Sequence, residues 1–318
     1  MVFWTIAPYF SAQTPFSSHI VEKDEIPSPT GNTAVRIIRA IATPELITEI
    51  CMYLRTYFGN PPHTPVLDIP ESELLLKRDY LFLVRDKEGQ IVGTIRYRYT
   101  GELLVDNTPS IYRVDAFCIR PDWRKKGVGD YLLMELQLYA TANGQPYAMF
   151  LKEGPHLSIA HIPFYSSTYV YRHMVYNIRF ASHVTLISNT QAYHMLDVYH
   201  SMYPNICIIR NQNGNQHWRY YKQGYSTILA CFQDTYQRLE GKKIAWCTAW
   251  LESSVVTDEI RTEAAIELTS TLPSFDYVWM NKRWVGNHSA WKQDGGFHWY
   301  TYQWSTNCTL DGSYCILD

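Results

Sequence analysis

The chain has 318 residues, a formal net charge of −2 and 46% hydrophobic residues. That length suits two domains, the near-neutral charge is unlike that of a general nucleic-acid binder, and no apolar run reaches the ~18–20 residues of a membrane helix. Seven cysteines, odd in number and without a C-x-x-C pair, indicate neither a disulfide framework nor a zinc site. Met1–Pro8 is apolar but has no basic flank and is too short for a signal peptide. The expectation is a soluble cytoplasmic protein with reduced thiols, no metal and no membrane insertion. Its 25 Tyr and 10 Trp fit either aromatic cores or an apolar ligand channel.

Residues 1–34, broken by Pro8, Pro15, Pro27 and Pro29, read as irregular. Val35–Ala42 alternates as a strand. Thr43 then caps a helix with Pro44 in its first turn and Ile47, Ile50, Cys51 and Leu54 on one face. Strands follow at Tyr80–Asp86 and Ile91–Tyr99, joined by a Lys87–Gln90 turn, and at Ile111–Ile119. A helix begins after Lys126, with Leu132, Leu133, Leu136 and Leu138 as its apolar residues, and Tyr147–Leu151 is a further strand. Part of this β-α-β-β-β-α-β order recurs downstream. Gln191–Tyr203 is helical, and Ser226–Gln233 and Lys243–Leu251 pair across Leu239–Lys242. Thr257 caps a helix running to Leu272, and Phe275–Met280 and Phe297–Trp304 are strands. The recurrence is one of element order, without a residue-level repeat.

Between the strand ending at Ile119 and the helix after it lies Arg124-Lys-Lys-Gly-Val-Gly129. A strand, a basic glycine turn and a helix N-terminus together present backbone N–H groups and positive charge to a phosphate, and a pyrophosphate is the expected ligand. Gly127 and Gly129 let the backbone approach where a Cβ would obstruct. A plain helix-capping loop is the alternative.

This R-x-x-G-x-G pattern after Val114-Asp-Ala-Phe-Cys-Ile119 resembles the acyl-CoA motif of the GNAT acyltransferases. Several separated segments further resemble the N-myristoyltransferases, which are tandem GNAT proteins. Phe3-Trp4 with Pro8 is similar to that family's Phe-Trp segment covering the acyl-CoA, and Asp115–Ile119 is similar to its N-F-L-C-V strand. Pro163 and Thr168 with Tyr171-Arg-His173 and Asn177 resemble its R-Y-W-H-R segment. Asp294–Trp304 resembles its D-G-N-L-x-Y-Y-L-Y-N-W strand, after which a short apolar tail remains. The chain departs from the family in its shortness, in Ala116 where an aromatic is usual, and in the loop glycines. It departs also in the short Ser253–Thr257 connection, where a peptide-binding strand of the family has no counterpart.

The resemblance implies an α+β, tandem GNAT-like fold, a mixed sheet flanked by helices. Residues 1–34 would cover the acyl-CoA, 35–185 would bind it and 186–318 would hold the acceptor. It implies acyl transfer from acyl-CoA, myristoyl-CoA foremost, to the N-terminal glycine amine of a protein or peptide by a monomer. Phe3, Trp4, Cys118, Ile119, Arg124, Lys125, Lys126, Gly127, Val128 and Gly129 would hold the acyl-CoA. Tyr171, His173, Tyr300 and Tyr302 would contact the acceptor. The backbone N–H groups of Ala116 and Phe117 would face the oxyanion if the strand is distorted there; an uninterrupted ladder would occupy both. The Asp318 main-chain carboxylate would be the base, with His173 as alternative. An acetyl-CoA enzyme acting on a small amine or a lysine, and a non-catalytic acyl-CoA binder, are the competing readings.

Overall fold

The computed structural model describes residues 36–39, 43–59, 66–104, 110–145, 147–155, 165–174, 181–202, 208–210, 215–286 and 288–302. In chain order the first part comprises β1 (Arg36–Arg39), α1 (Pro44–Tyr57), β2 (Val66–Leu67), α2 (Glu71–Leu74), β3 (Tyr80–Arg85), β4 (Ile91–Leu104) and β5 (Ser110–Ile119). It continues with α3 (Val128–Ala142), β6 (Ala148–Glu153) and β7 (Tyr165–His173). The second part comprises β8 (Val184–Leu186), α4 (Asn189–Met202), β9 (Ile208–Arg210), β10 (Gln216–Gln223), β11 (Ser226–Leu239) and β12 (Lys242–Glu252). It ends with α5 (Asp258–Ser270), β13 (Tyr277–Asn281) and β14 (Lys292–Tyr302).

Local chemistry sets these elements as the sequence leads one to expect. The Thr43 hydroxyl accepts from the Leu46 N–H at 3.3 Å, and Ile47, Ile50, Cys51 and Leu54 are the buried stripe of α1. Thr257 caps α5 in the same way, accepting from Ile260. The β11–β12 hairpin turns at Glu240 and Gly241, both at positive φ, as a tight two-residue connection requires. The strand lengths differ from the sequence expectation: β4 runs on to Leu104 and β11 to Leu239, and β14 starts at Lys292. β10, whose polar and aromatic residues show no clean alternation, is found only in the structure.

The strands of the described residues form one sheet, in the order β1-β3-β4-β5-β6-β14-β7-β13-β12-β11-β10-β8, with β2 beside β11 and β9 beside β4. Within it the two parts mirror each other. β5 and β6 are parallel and joined through α3; β12 and β13 are parallel and joined through α5. The terminal strands are exchanged: β7 follows β6 in the chain but pairs with β13, while β14 follows β13 but pairs with β6. The exchanged strands pair with each other at the centre. In the first part α1 and α2 cover one sheet face and α3 the other. In the second, α4 and α5 take the two faces, and the α4 cluster also contains Ile111, Met149 and Trp299.

Candidate active site

Strands β5 and β6 are in register only at Tyr112–Ala148 and Arg113–Met149. Beyond that point they part, and a cavity of about 250 Å³ opens between them. On the α3 side its walls are apolar: Val114, Phe117, Leu133, Phe150 and Tyr302. On the other side charged and polar side chains, Arg96, Arg98, Asp115, Glu153 and Gln237, stand among Phe58, Leu67 and Trp246. The cavity is therefore apolar towards α3 and carries its charges, as a charged mouth, on the opposite face of the sheet.

A β-bulge lies in this gap. Thr94 pairs with Cys118 and Arg96 with Asp115, so Ala116 and Phe117 together oppose the single residue Ile95. Ala116 sits at φ 46°, a left-handed conformation that costs a residue with a side chain about 1–2 kcal/mol. The Thr94 hydroxyl donates to the Ala116 carbonyl at 2.8 Å. In a trans peptide the following N–H, that of Phe117, points the opposite way, away from β4. Ala116 and Phe117 both line the cavity. The strand is distorted at the residues that the resemblance singles out; the uninterrupted ladder is not what forms.

The strand leads through a 3-10 turn, Pro121–Trp123, into the basic loop. Arg124 is tethered by its Nε to the Ile119 carbonyl at 3.0 Å. Lys125 and Gly127 adopt positive φ, 62° and 80°. Gly127 is the N-cap of α3 and makes no side-chain cap, so the first N–H groups of the helix are left for an external acceptor. A Cβ built on Gly127 meets no protein atom within 4 Å. Arg124, Lys125 and Lys126 are exposed, and the Lys126 ammonium lies 5.2 Å from the Trp123 ring centre. Val128 is buried against the sheet, and Gly93 makes room for α3: a Cβ there would lie 2.9 Å from Ile119 and 3.0 Å from Val128.

The remaining sequence candidates separate. Tyr302 lines the cavity and donates to the Leu133 carbonyl at 2.9 Å. Tyr300 is buried beside Phe150, rings stacked at 5.1 Å, and does not reach the cavity wall. Tyr171 stacks on Trp279 at 5.0 Å. His173 is exposed at the end of β7 against the Tyr277 ring, 4.3 Å away, and is not part of the cavity. Cys118 is a buried thiol whose pKa burial pushes up to about 11, so it is no thiolate at neutral pH. Phe3, Trp4, Pro163, Asn177, Trp304 and Asp318 lie outside the described residues. Among the described residues one trio with metal-ligand atoms occurs, His183, Glu263 and Glu267, within 4.8 Å of one another. Glu267 there is already bonded to the His183 ring and backbone, and none of the three lines the cavity.

Sequence reasoning missed the charged mouth. Arg96 is buried and makes a two-pronged ion pair with Asp115, 2.7 and 2.9 Å, while its Nη1 donates to the Leu74 and Glu73 carbonyls at the end of α2. Arg98 adds a 3.0 Å contact to Asp115. Burial opposes ionisation of Asp115, but these guanidinium groups hold its pKa below the usual aspartate value. The second half supplies Thr235, Tyr236 and Gln237 to the cavity from a bulge in β11, with Tyr236 at φ 60°. The corresponding gap of the second half, past the β12–β13 pairing, is filled: Trp250 and Trp284 stack at 6.2 Å beside Trp291 and Met280. β12 keeps a bulge at Thr248, opposite the step between Cys231 and Phe232.

Residues 47–168 match the model of the acetyltransferase (GNAT) family. No curated protein matches the sequence. Among solved structures, Saccharomyces cerevisiae N-myristoyltransferase with bound myristoyl-CoA superposes with a TM-score of 0.65 at 10% identity, covering 100% of this chain and 91% of the yeast chain. A second structure of the yeast enzyme with bound myristoyl-CoA gives 0.62, again at 10% identity, over 100% and 96% of the two chains. A third, with myristoyl-CoA and inhibitors, gives 0.63 at 10% identity over 99% and 93%. A GNAT-family segment, a mirrored second part and full-length superposition on these structures establish that the chain has the tandem GNAT fold of the N-myristoyltransferases.

Proposed function

We propose that the protein is an acyl-CoA-dependent N-acyltransferase that moves a long-chain acyl group, myristoyl foremost, to the N-terminal glycine amine of a protein or peptide. The observation that carries this reading is the bulge at Ala116–Phe117 opening into the gap between β5 and β6, on the strand that leads through Pro121–Trp123 and the basic loop to the uncapped N-terminus of α3. In this scheme the pyrophosphate sits on the α3 N-terminus within Arg124–Gly129, with Cys118 and Ile119 beside it and Phe3 and Trp4 folded over the acyl-CoA. The apolar mouth takes the acyl chain. The thioester carbonyl faces the Ala116 and Phe117 N–H groups, which stabilise the oxyanion as it forms. The acceptor enters from the charged mouth, to which the second half contributes. An α-amino group titrates near ~8, so it arrives mostly protonated and needs a proton acceptor. The resemblance assigns that role to the Asp318 carboxylate.

Titration calorimetry with myristoyl-CoA and acetyl-CoA, followed by mass spectrometry of a glycine-terminated peptide incubated with the tighter ligand, tests the proposal. Preference for myristoyl-CoA and a peptide heavier by one myristoyl group are expected. Equal affinity for the two thioesters, with acetyl transfer to a small amine or lysine, favours the acetyltransferase reading, which the glycines of the loop recommend. Tight binding without any turnover leaves a non-catalytic acyl-CoA binder.

A further inference from the structure

The charged mouth contains a carboxylate that the scheme above does not use. Glu153 is the last residue of β6, facing the gap across from the bulged end of β5. Its side chain is exposed and lines the cavity. Asp294 is the like charge beside it. A second bulge brings it there: Gln293 pairs with Val170 and Gly296 with Thr168, so Asp294 and Gly295 oppose Tyr169 alone, and Asp294 accepts from the Trp279 indole. Arg113, Lys152 and the Gln237 amide act on Glu153 in the opposite sense. The Lys152 ammonium is committed to the Glu153 and Pro155 carbonyls at 3.0 and 2.6 Å, and the Arg96–Asp115–Arg98 group is internally paired.

We propose that Glu153, in place of the Asp318 carboxylate, takes the proton from the acceptor's ammonium, so that its wall of the cavity is the acceptor half of the active site. This rests on the acyltransferase reading. The carboxylate of Glu153 removes one proton from R–NH3+. The neutral amine attacks the thioester carbon, forming the C–N bond as the C–S bond breaks. The thiolate leaves with the second amine proton as CoA-SH, and Glu153 returns its proton to water. Desolvation by the protein packed about its carboxyl group, together with the Asp294 charge, raises the Glu153 pKa above the ordinary glutamate value, which narrows its gap to the amine and makes it a better base for this step.

The test is a pH profile of kcat/KM for transfer from myristoyl-CoA to a glycine-terminated peptide, on the full chain. The wild type is expected to show an acid limb, above the range of an ordinary glutamate, where Glu153 becomes protonated. Glu153→Gln should lower kcat at pH 7 about 10²-fold or more and erase that limb, with the Kd for myristoyl-CoA unchanged as proof of folding. Asp294→Asn should leave turnover measurable and move the limb to lower pH, a shift that a merely structural role would not produce. A wild-type-like profile in Glu153→Gln overturns the inference and leaves the acyltransferase reading intact. A wild type that binds acyl-CoA and transfers to no amine overturns both.

Discussion

Asp115 shows how one residue serves both stability and site. Arg96 is buried, so its charge is tolerable only while the Asp115 carboxylate is ionised opposite it. Asp115→Asn should therefore destabilise the protein by about 3–5 kcal/mol at pH 7, measured by urea unfolding. The pKa of Asp115 is depressed in the folded state, so the pair's contribution is full above the unfolded value of ~3.9 and is lost as pH falls through the lower folded value. The difference between wild type and variant should shrink as pH falls below ~3.9 and be gone below the folded value. Gly127 is the second such residue. Its φ of 80° costs any substituent backbone strain, yet its Cβ position is empty of protein. Gly127→Val should lose about 1–2 kcal/mol of stability and, if the phosphate lies there, most of the CoA affinity. Normal CoA binding by this variant would mean that the phosphate sits elsewhere. Removing Lys125 and Lys126 should cost less, because exposed charges are screened.

At the scale of elements, what the sequence makes legible is what local chemistry determines. Thr43 and Thr257 announce their helices through caps, the basic loop announces the β5–α3 junction, and alternation announces β3, β4 and β5. The bulges are different. Nothing in Asp115-Ala-Phe-Cys says that Ala116 takes a left-handed φ; Ile95 and the Thr94 hydroxyl, far along the chain, impose it. The same holds for Tyr236 and Asp294, whose bulges bring Thr235–Gln237 and Glu153's neighbour to the cavity. The charged mouth went unread because its residues come from β4, β5, β6, β11 and β12 and meet only through pairing. The two parallel-strand gaps make a further comparison. That of the second half is filled by Trp250, Trp284 and Trp291, and its strand-to-helix connection at Ser253–Thr257 is a short turn without a glycine loop. Trp284→Ala should cost about 3–5 kcal/mol in chemical denaturation and leave the stoichiometry of CoA binding at one. A second CoA bound by this variant would show that the tryptophans alone close the second gap.

At the scale of the whole molecule, the exchanged strands decide how the protein holds together. Each half, cut from the chain, keeps its own parallel pair but loses the edge partner that the other half lends: β6 would lose β14, and β13 would lose β7. An exposed β6 edge would carry Ala148, Met149 and Phe150, all buried in the whole, and unpaired apolar edges aggregate. The cluster joining Ile111, Met149 and Trp299 to Ala192, Leu196 and Trp218 would be divided as well. The halves are thus one folding unit despite their internal mirror relation. Thermal unfolding should show a single transition whose calorimetric and van't Hoff enthalpies agree, and a chain ending before β14, after residue 286, should fail to give a soluble folded product. Adding the missing segment as a separate peptide, residues 287–318, should restore it, since the lost pairing is a strand docking between two open edges. Two separated transitions in the intact chain, or a soluble and cooperatively folded truncation without the peptide, would show that each half carries its own stability and that the strand exchange is incidental to it.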